Sequence, residues 1–463
     1  MLSEAALEAP GPLVPPAAPL QTRPLRGLSL VRAMRTSMLS IWGDRAYDLL
    51  IIKGRSFGRD NLVVSDPAAV RRVMVENAAN YLKHVNVSRL TRPIVGDGLL
   101  LAEGTEWRRQ RRVLSPAFTP AHVERLVPHF TEAARGLVAR VQDEPRVNLA
   151  QLLQATALDA AARALFSMPI GGRGGRLAQL ARSYGAGPGR PTLFDAVARR
   201  EGDYAWFTPG RPRFRKLWRR EIDAIVAQRR AQPRAEGELD DLLDLMLKAR
   251  DPETGEGLDD AEIRDQTSTM LTAGFETTAR AMFWTLYLLS LDRPEQGRIH
   301  AELRADPPQQ AGADTPRRWP RLRRAMLEAM RLYPPAPLLI RTAQAADRLG
   351  GVEVPKGATV LISPWIIHRH RKLWDRPEAF IPDRFEGKAQ DHLSSGAYIP
   401  FGAGPRICIG ASFAMTEAAV VMAELLSRFE VVLDDPRPLT PMSVLTTLPD
   451  IEPWFRLQPL PAA

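Results

Sequence analysis

Phe401-Gly402-Ala403-Gly404-Pro405-Arg406-Ile407-Cys408-Ile409-Gly410 is the stretch on which the reading of this chain turns, and the aliphatic run Ala411 to Phe429 follows it directly. Cys408 is the sole cysteine among 463 residues, so an intramolecular disulfide and a Cys-rich zinc site are both impossible, and a reducing compartment fits best. Glycines at 402, 404 and 410 let the backbone turn tightly around the sulfur and leave room for a flat ligand to approach. A helix starting at Ala411 would set its N-terminal peptide dipoles near that sulfur, which favours thiolate over thiol. An anionic thiolate is a strong electron donor to iron, and such a push favours cleavage of a bound O–O bond. Taken alone, a cysteine among glycines is more often a buried structural residue.

All fixed positions of F-x-x-G-x-R-x-C-x-G are matched here, and in this the chain resembles the cytochrome P450 superfamily. The resemblance implies that Cys408 is the axial ligand of a haem iron, with haem b as cofactor, and that Arg406 pairs with a haem propionate. It implies a mainly α fold with a minor β region, a triangular prism holding the haem between a long central helix and the helix after Cys408. Further motifs of the family occur in the right order. Glu328-Ala329-Met330-Arg331 fits E-x-x-R, which sets two opposite charges on one helix face, and Leu332-Tyr333-Pro334-Pro335-Ala336-Pro337 follows as a helix ending. Phe380-Ile381-Pro382-Asp383-Arg384-Phe385 resembles the family's P-x-R-F segment. By the resemblance Glu328, Arg331 and Arg384 form a buried structural network behind the cysteine loop. Trp107 and Arg111, in W-x-x-x-R, share a helix face and both offer N–H donors to a propionate. Arg341 and Lys83 resemble further propionate partners, with a solvated surface cation as the alternative for each.

Ala273-Gly274-Phe275-Glu276-Thr277-Thr278 matches [AG]-G-x-[DE]-T-[TS]. Threonine side chains compete for backbone carbonyls and glycine costs about 1 kcal/mol against alanine, so the helix is loosened there. Standing alone, the hexapeptide reads as a small-residue helix crossing. The resemblance implies instead that Thr277 hydrogen-bonds the iron-bound peroxo group and that Glu276 helps relay protons to its distal oxygen. The family more often has Asp at the position of Glu276.

Around these motifs the chain is 45% hydrophobic and 25% charged, an ordinary globular composition. The formal charge is +10 and the pI near 10.1, yet 63 basic residues are interspersed with 53 acidic ones and no nucleic-acid-binding motif occurs. Nucleic-acid binding is not expected. The Pro-broken residues 1–26 read as a flexible arm without the basic-then-apolar order of a signal peptide, followed by a single haem-binding domain over 27–463. No run reaches about 18 uninterrupted apolar residues; Ala281 to Leu291 comes nearest, between Arg280 and Asp292. A soluble, cytoplasmic protein with no transmembrane anchor is expected. Helical periodicity dominates from about Asn148, in Asn148 to Phe166, Arg213 to Ala231 and Leu239 to Ala249. Gly- and Pro-rich loops intervene, Pro307 to Pro316 among them. The longest helix is expected from Asp259-Asp260 to Leu291, roughly 45 to 50 Å at 1.5 Å per residue. Strands are expected at Asp60 to Ser65, Val352 to Val354, Thr359 to Ile362 and Phe429 to Leu433.

The resemblance places substrate contacts in the loop His84 to Leu101, in Met270 to Ala273, and in the turns Ala336 to Ile340 and Val444 to Leu448. These are mostly apolar, so a hydrocarbon-like substrate is expected. Arg89 and Arg92 could anchor a carboxylate, but an outward-facing position is expected of both. The activity implied is monooxygenation: dioxygen is activated and one oxygen atom enters an apolar organic substrate by hydroxylation or epoxidation. Since the chain ends soon after the haem motifs, electrons are expected to come ultimately from NAD(P)H through a separate ferredoxin or flavodoxin with its reductase. Arg108, Arg109, Arg112, Arg323 and Arg324 could form a basic docking face for that acidic partner. The alternatives are a peroxide-dependent peroxygenase or isomerase of the same fold, and a non-catalytic haem sensor.

Overall fold

The structure, a computed structural model, describes residues 11–461 apart from 168–170, 204, 233–239, 309–314 and 388. The first ten residues of the expected arm, Leu239 of the expected helix and most of the Pro307 to Pro316 loop lie outside the described residues.

The helices that build the site are α1 (Val85–Val95), α2 (Gly104–Leu114), α3 (Val127–Val141), α4 (Leu149–Phe166), α5 (Gly210–Ala231), α6 (Asp260–Leu291), α7 (Pro320–Leu332) and α8 (Ala411–Leu426). The first three precede the region where helical periodicity was expected to dominate. They are short or proline-interrupted, with Pro93 inside α1, and their polar faces dilute the apolar repeat.

Helix α6 is the axis of the molecule. Its start is fixed by a capping box: the Asp259 side chain accepts from the Glu262 N–H at 2.8 Å, and Glu262 accepts from the Asp259 N–H at 2.9 Å. Its end is fixed by Asp292-Arg293-Pro294, where the chain turns into the next helix. From Met282 to Leu289 every side chain is buried, so this half runs through the core instead of along a surface. There Trp284 stacks on Tyr333 with ring centroids 3.9 Å apart. Helix α4 packs along α6, and α7 and α8 flank it.

The main sheet has five strands: β1 (Ile51–Ser56), β2 (Arg59–Val64), β3 (Tyr81–Lys83), β4 (Leu339–Ala343) and β5 (Thr359–Ile362), in the order β1-β2-β5-β4-β3. Strands β2 and β5 are parallel and the other pairs antiparallel. The four expected strands are present; Asp347–Leu349, Pro441–Ser443, Thr447–Pro449 and Phe455–Pro459 are further strands outside this sheet, and within it β1, β3 and β4 are additions. Their sequences alternate poorly, and β3 has only three residues. The pairing of β3 with β4 sets Lys83 directly across from Arg341, which puts two cations side by side.

Part of the expected arm makes fixed contacts. Leu13 O accepts from the Phe380 N–H at 2.8 Å, Pro16 O from the Tyr333 hydroxyl at 2.6 Å, and the Gln21 N–H donates to Trp42 O at 2.9 Å. Ala18 is buried. A proline-rich segment has little conformational entropy to lose on docking, which suits it to lie in an extended groove.

Candidate active site

One largely apolar cavity of about 400 Å³ brings together residues from ends of the chain hundreds of positions apart. Cys408 and the loop before it form one wall, and Met270, Ala273, Gly274 and Thr277 of α6 form another. The loop closes by the Cys408 N–H donating to Phe401 O at 2.9 Å. Gly402 and Gly404 take φ of 74° and 67°, which side chains with a Cβ rarely adopt. Gly404 is further constrained, since a Cβ there would stand 2.1 Å from the Met74 carbonyl oxygen.

The Cys408 side chain is open to this cavity while protein crowds around it. Burial pushes its thiol pKa up, opposed by the Gly410 N–H and by the charge of Arg111. Bonding to a metal cation would remove the proton, since a coordinating thiol is deprotonated outright.

At the cavity rim stand Lys83, Trp107, Arg111, Arg341 and Arg406, drawn together from β3, α2, β4 and the cysteine loop. The Arg406 guanidinium lies 4.3 Å over the Trp107 ring and donates to Ala102 O at 2.7 Å. Arg111 donates to the Ile407 carbonyl at 3.0 Å, tying α2 to the residue before the cysteine. Burial pushes the pKa of all four cations down; for Lys83, burial and then Arg406 bring it to about 7. The carboxylate within bonding reach is Glu103, which accepts from the Lys83 N–H at 3.0 Å and pairs with Lys83 Nζ at 3.4 Å and with Arg406. Four half-desolvated cations with one carboxylate among them are short of negative charge. A flat group carrying two carboxylates, bound with its centre at Cys408, supplies it, so the residues present fit a haem.

The expected brace is formed. Glu328 and Arg331 are fully buried and paired at 2.7 Å, and Arg384 Nε lies 3.2 Å from Glu328. Arg331 also donates to the carbonyls of His368, Pro377 and Ala379 at 2.6 to 2.8 Å. The His368 ring accepts from the Ile399 N–H at 2.9 Å, and the Tyr398 hydroxyl donates to Leu327 O at 2.8 Å. The network thereby grips the two residues that lead into the cysteine loop.

On α6, Thr277 faces the cavity and its hydroxyl donates to Ala273 O at 2.6 Å. Glu276 turns away from the cavity: its carboxylate accepts from the Thr446 hydroxyl at 2.8 Å and lies 4.0 Å from Arg280. Of the four expected substrate regions, the first three reach the cavity, through Val87 and Leu99, through Met270 and Ala273, and through Ala336 to Ile340. Val444 to Leu448 does not line it; this segment belongs to a hairpin in which Thr446 and Thr447 bond to Glu276 and Trp284. Arg89 and Arg92 also depart from expectation. Arg89 is buried and bonded to Asp195 at 2.9 Å, in a cluster that includes Arg211, and Arg92 pairs with Asp97 and Glu201. Neither arginine faces freely outward, and neither lines the cavity.

The cytochrome P450 family model matches residues 52–452. The chain belongs to the cytochrome P450 family. It is 32% identical over 376 residues to cyclooctatin synthase of Streptomyces melanosporofaciens, covering 78% of this chain and 79% of that one. It is 31% identical over 425 residues to leukotriene-B4 omega-hydroxylase 3 of Mus musculus, covering 85% and 79%. The haem domain of cytochrome P450DA has the same fold, with a TM-score of 0.77, 97% of this chain and 98% of that one covered and 24% identity. This P450 is thus an oxidoreductase of the monooxygenase class, in a family whose cofactor is haem. Among the described residues no helix is long and apolar enough to cross a membrane. Glu103 escaped the sequence reading: a carboxylate just before a helix reads as an ordinary N-terminal charge.

Proposed function

We propose that this P450 holds haem b with its iron on Cys408 Sγ and inserts one atom of dioxygen into an apolar organic substrate. The observation that carries the reading is one apolar cavity lined by the Cys408 thiol, by Thr277 and by a group of cations. Lys83, Trp107, Arg111, Arg341 and Arg406 bind the propionates through charge-assisted hydrogen bonds. When bound, the haem supplies the redox-active iron at which dioxygen is reduced.

The chain's own residues orient the substrate and move protons. Val87, Leu99, Met270 and Leu338 give the substrate an apolar bed and keep bulk water out. The Thr277 hydroxyl donates its hydrogen bond to Ala273 O, so its lone pairs are left free to accept a bond or fix a water. Glu276, which the family resemblance makes the proton-relay acid, is held behind the wall against Arg280 and Thr446. Glu328, Arg331 and Arg384 act structurally, holding the loop that presents the sulfur.

Electrons come ultimately from NAD(P)H through a separate ferredoxin or flavodoxin with its reductase. The basic docking face is narrower than the sequence suggests. Arg109 is paired with Glu106 and Glu262, Arg112 with Asp251 and Glu253, and Arg324 with Asp383 and Glu386. Arg108 and Arg323 are the members of that set without an ion pair among the described residues. Reduced protein under carbon monoxide tests the haem-thiolate reading: a red-shifted Soret band is expected, and its absence sinks the proposal. A spectral-shift screen against fatty acids, terpenes, steroids and aromatics then identifies the substrate class.

A further inference from the structure

Glu103 is the residue preceding α2, in the N-cap position, yet its side chain makes no capping bond to its own helix. A carboxylate there ordinarily turns back to the free N–H groups of the first turn. This one reaches the other way. One oxygen accepts from both the backbone N–H and the Nζ of Lys83, at 3.0 and 3.4 Å, and the other accepts from Arg406. Its charge is also felt by Arg341. Three segments therefore meet on one carboxylate: strand β3, the entry to α2, and the cysteine loop.

Position matters as much as charge. Arg406 is held between Ala102 O and Glu103 on one side and the face of Trp107 on the other, so its guanidinium has one orientation open to it. Lys83 is held by Glu103 at both its backbone and its ammonium. Without Glu103, Lys83, Arg341 and Arg406 would crowd together with like charge and no carboxylate between them, and they would splay.

We infer that Glu103 is a positioning residue for the cofactor: it stays bound to Arg406 and Lys83 in the loaded enzyme, holding both for the propionates and lowering the positive potential over the haem. This rests on the haem-thiolate reading above. The rival is a placeholder, a carboxylate that occupies the propionates' partners and must be displaced by them. The two predict opposite signs.

The experiment uses purified holoprotein of wild type, Glu103→Gln and Glu103→Ala. Haem transfer to excess apomyoglobin gives the loss rate, and spectroelectrochemistry gives the midpoint potential. Glu103→Ala should lose haem roughly tenfold to a hundredfold faster, as expected when the ion pairs that fix Lys83 and Arg406 are removed. Glu103→Gln keeps one acceptor oxygen, enough for Lys83 or Arg406 but not for both, and should lose haem at a rate between those of wild type and Glu103→Ala, with its midpoint potential shifted upward because a negative charge beside the haem is gone. Slower haem loss in Glu103→Ala, or an unmoved potential in Glu103→Gln, overturns the inference. Purified wild type that carries no thiolate-ligated haem defeats the underlying reading instead.

Discussion

Cys408 and Thr277 both line one cavity, and substitutions at them separate binding from chemistry. Cys408→Ala is expected to abolish the thiolate-type carbon monoxide difference band, read on reduced protein, because no other sulfur ligand exists in the chain except methionine. Thr277→Ala should leave haem content and that band intact while product formation falls by about a hundredfold, the low end for a positioned proton-transfer group. Dioxygen consumption measured beside product would then exceed it. Glu328→Gln belongs to a different class. It leaves Arg331 charged in a site with no exposure, and breaking such a pair costs about 3 kcal/mol or more, measurable as a lower Tm and less haem per chain. These residues were legible because their chemistry needs fixed types at fixed spacing. Glu103 was not, since its partners lie on strands and loops that only the fold brings near.

The cysteine loop is held as a unit, pressed against the helical turn Arg72–Glu76 and anchored through Ile399 and Ile407. Gly404→Ala tests that packing. The added methyl group meets the Met74 carbonyl at 2.1 Å in a backbone conformation that alanine adopts poorly, so either the loop or the turn must move. A cost of at least about 2 kcal/mol is expected, with haem occupancy falling and thermal unfolding coming earlier. Helix α6 was readable nearly to the residue because its ends carry strong signals, a capping box and a proline stop. Strands β3 and β4 were not. Lys83 and Arg341 are neighbours only by cross-strand register, which a three-residue segment cannot announce.

Across the whole molecule, α1 is tied to the segment before α5 by a buried ion cluster: Arg89 and Arg211 both grip Asp195 at 2.7 to 2.9 Å. Burial alone would raise the Asp195 pKa, but the bonds and charge of Arg211, with Thr192 and Arg89, win and bring it down from 3.8 to about 2. A carboxylate whose folded pKa is depressed contributes stability that is complete above its unfolded value and lost as pH falls through the folded one. Acid unfolding should therefore steepen between about pH 4 and pH 2. Asp195→Asn, compared by pH-dependent thermal melts, should flatten that limb, and an unchanged limb would place the loss elsewhere. What the amino-acid order determined by itself was the chemistry: a lone thiol in a glycine-rich turn, an acid and a threonine on the longest helix, and charges three or four apart on helix faces, all short-range patterns. Only the tertiary structure decided which charges meet. It turned Glu276 away from the cavity, buried Arg89 against Asp195, and gathered four cations and Glu103 at one rim, because ion pairing depends on distances that close through space between segments far apart in the chain.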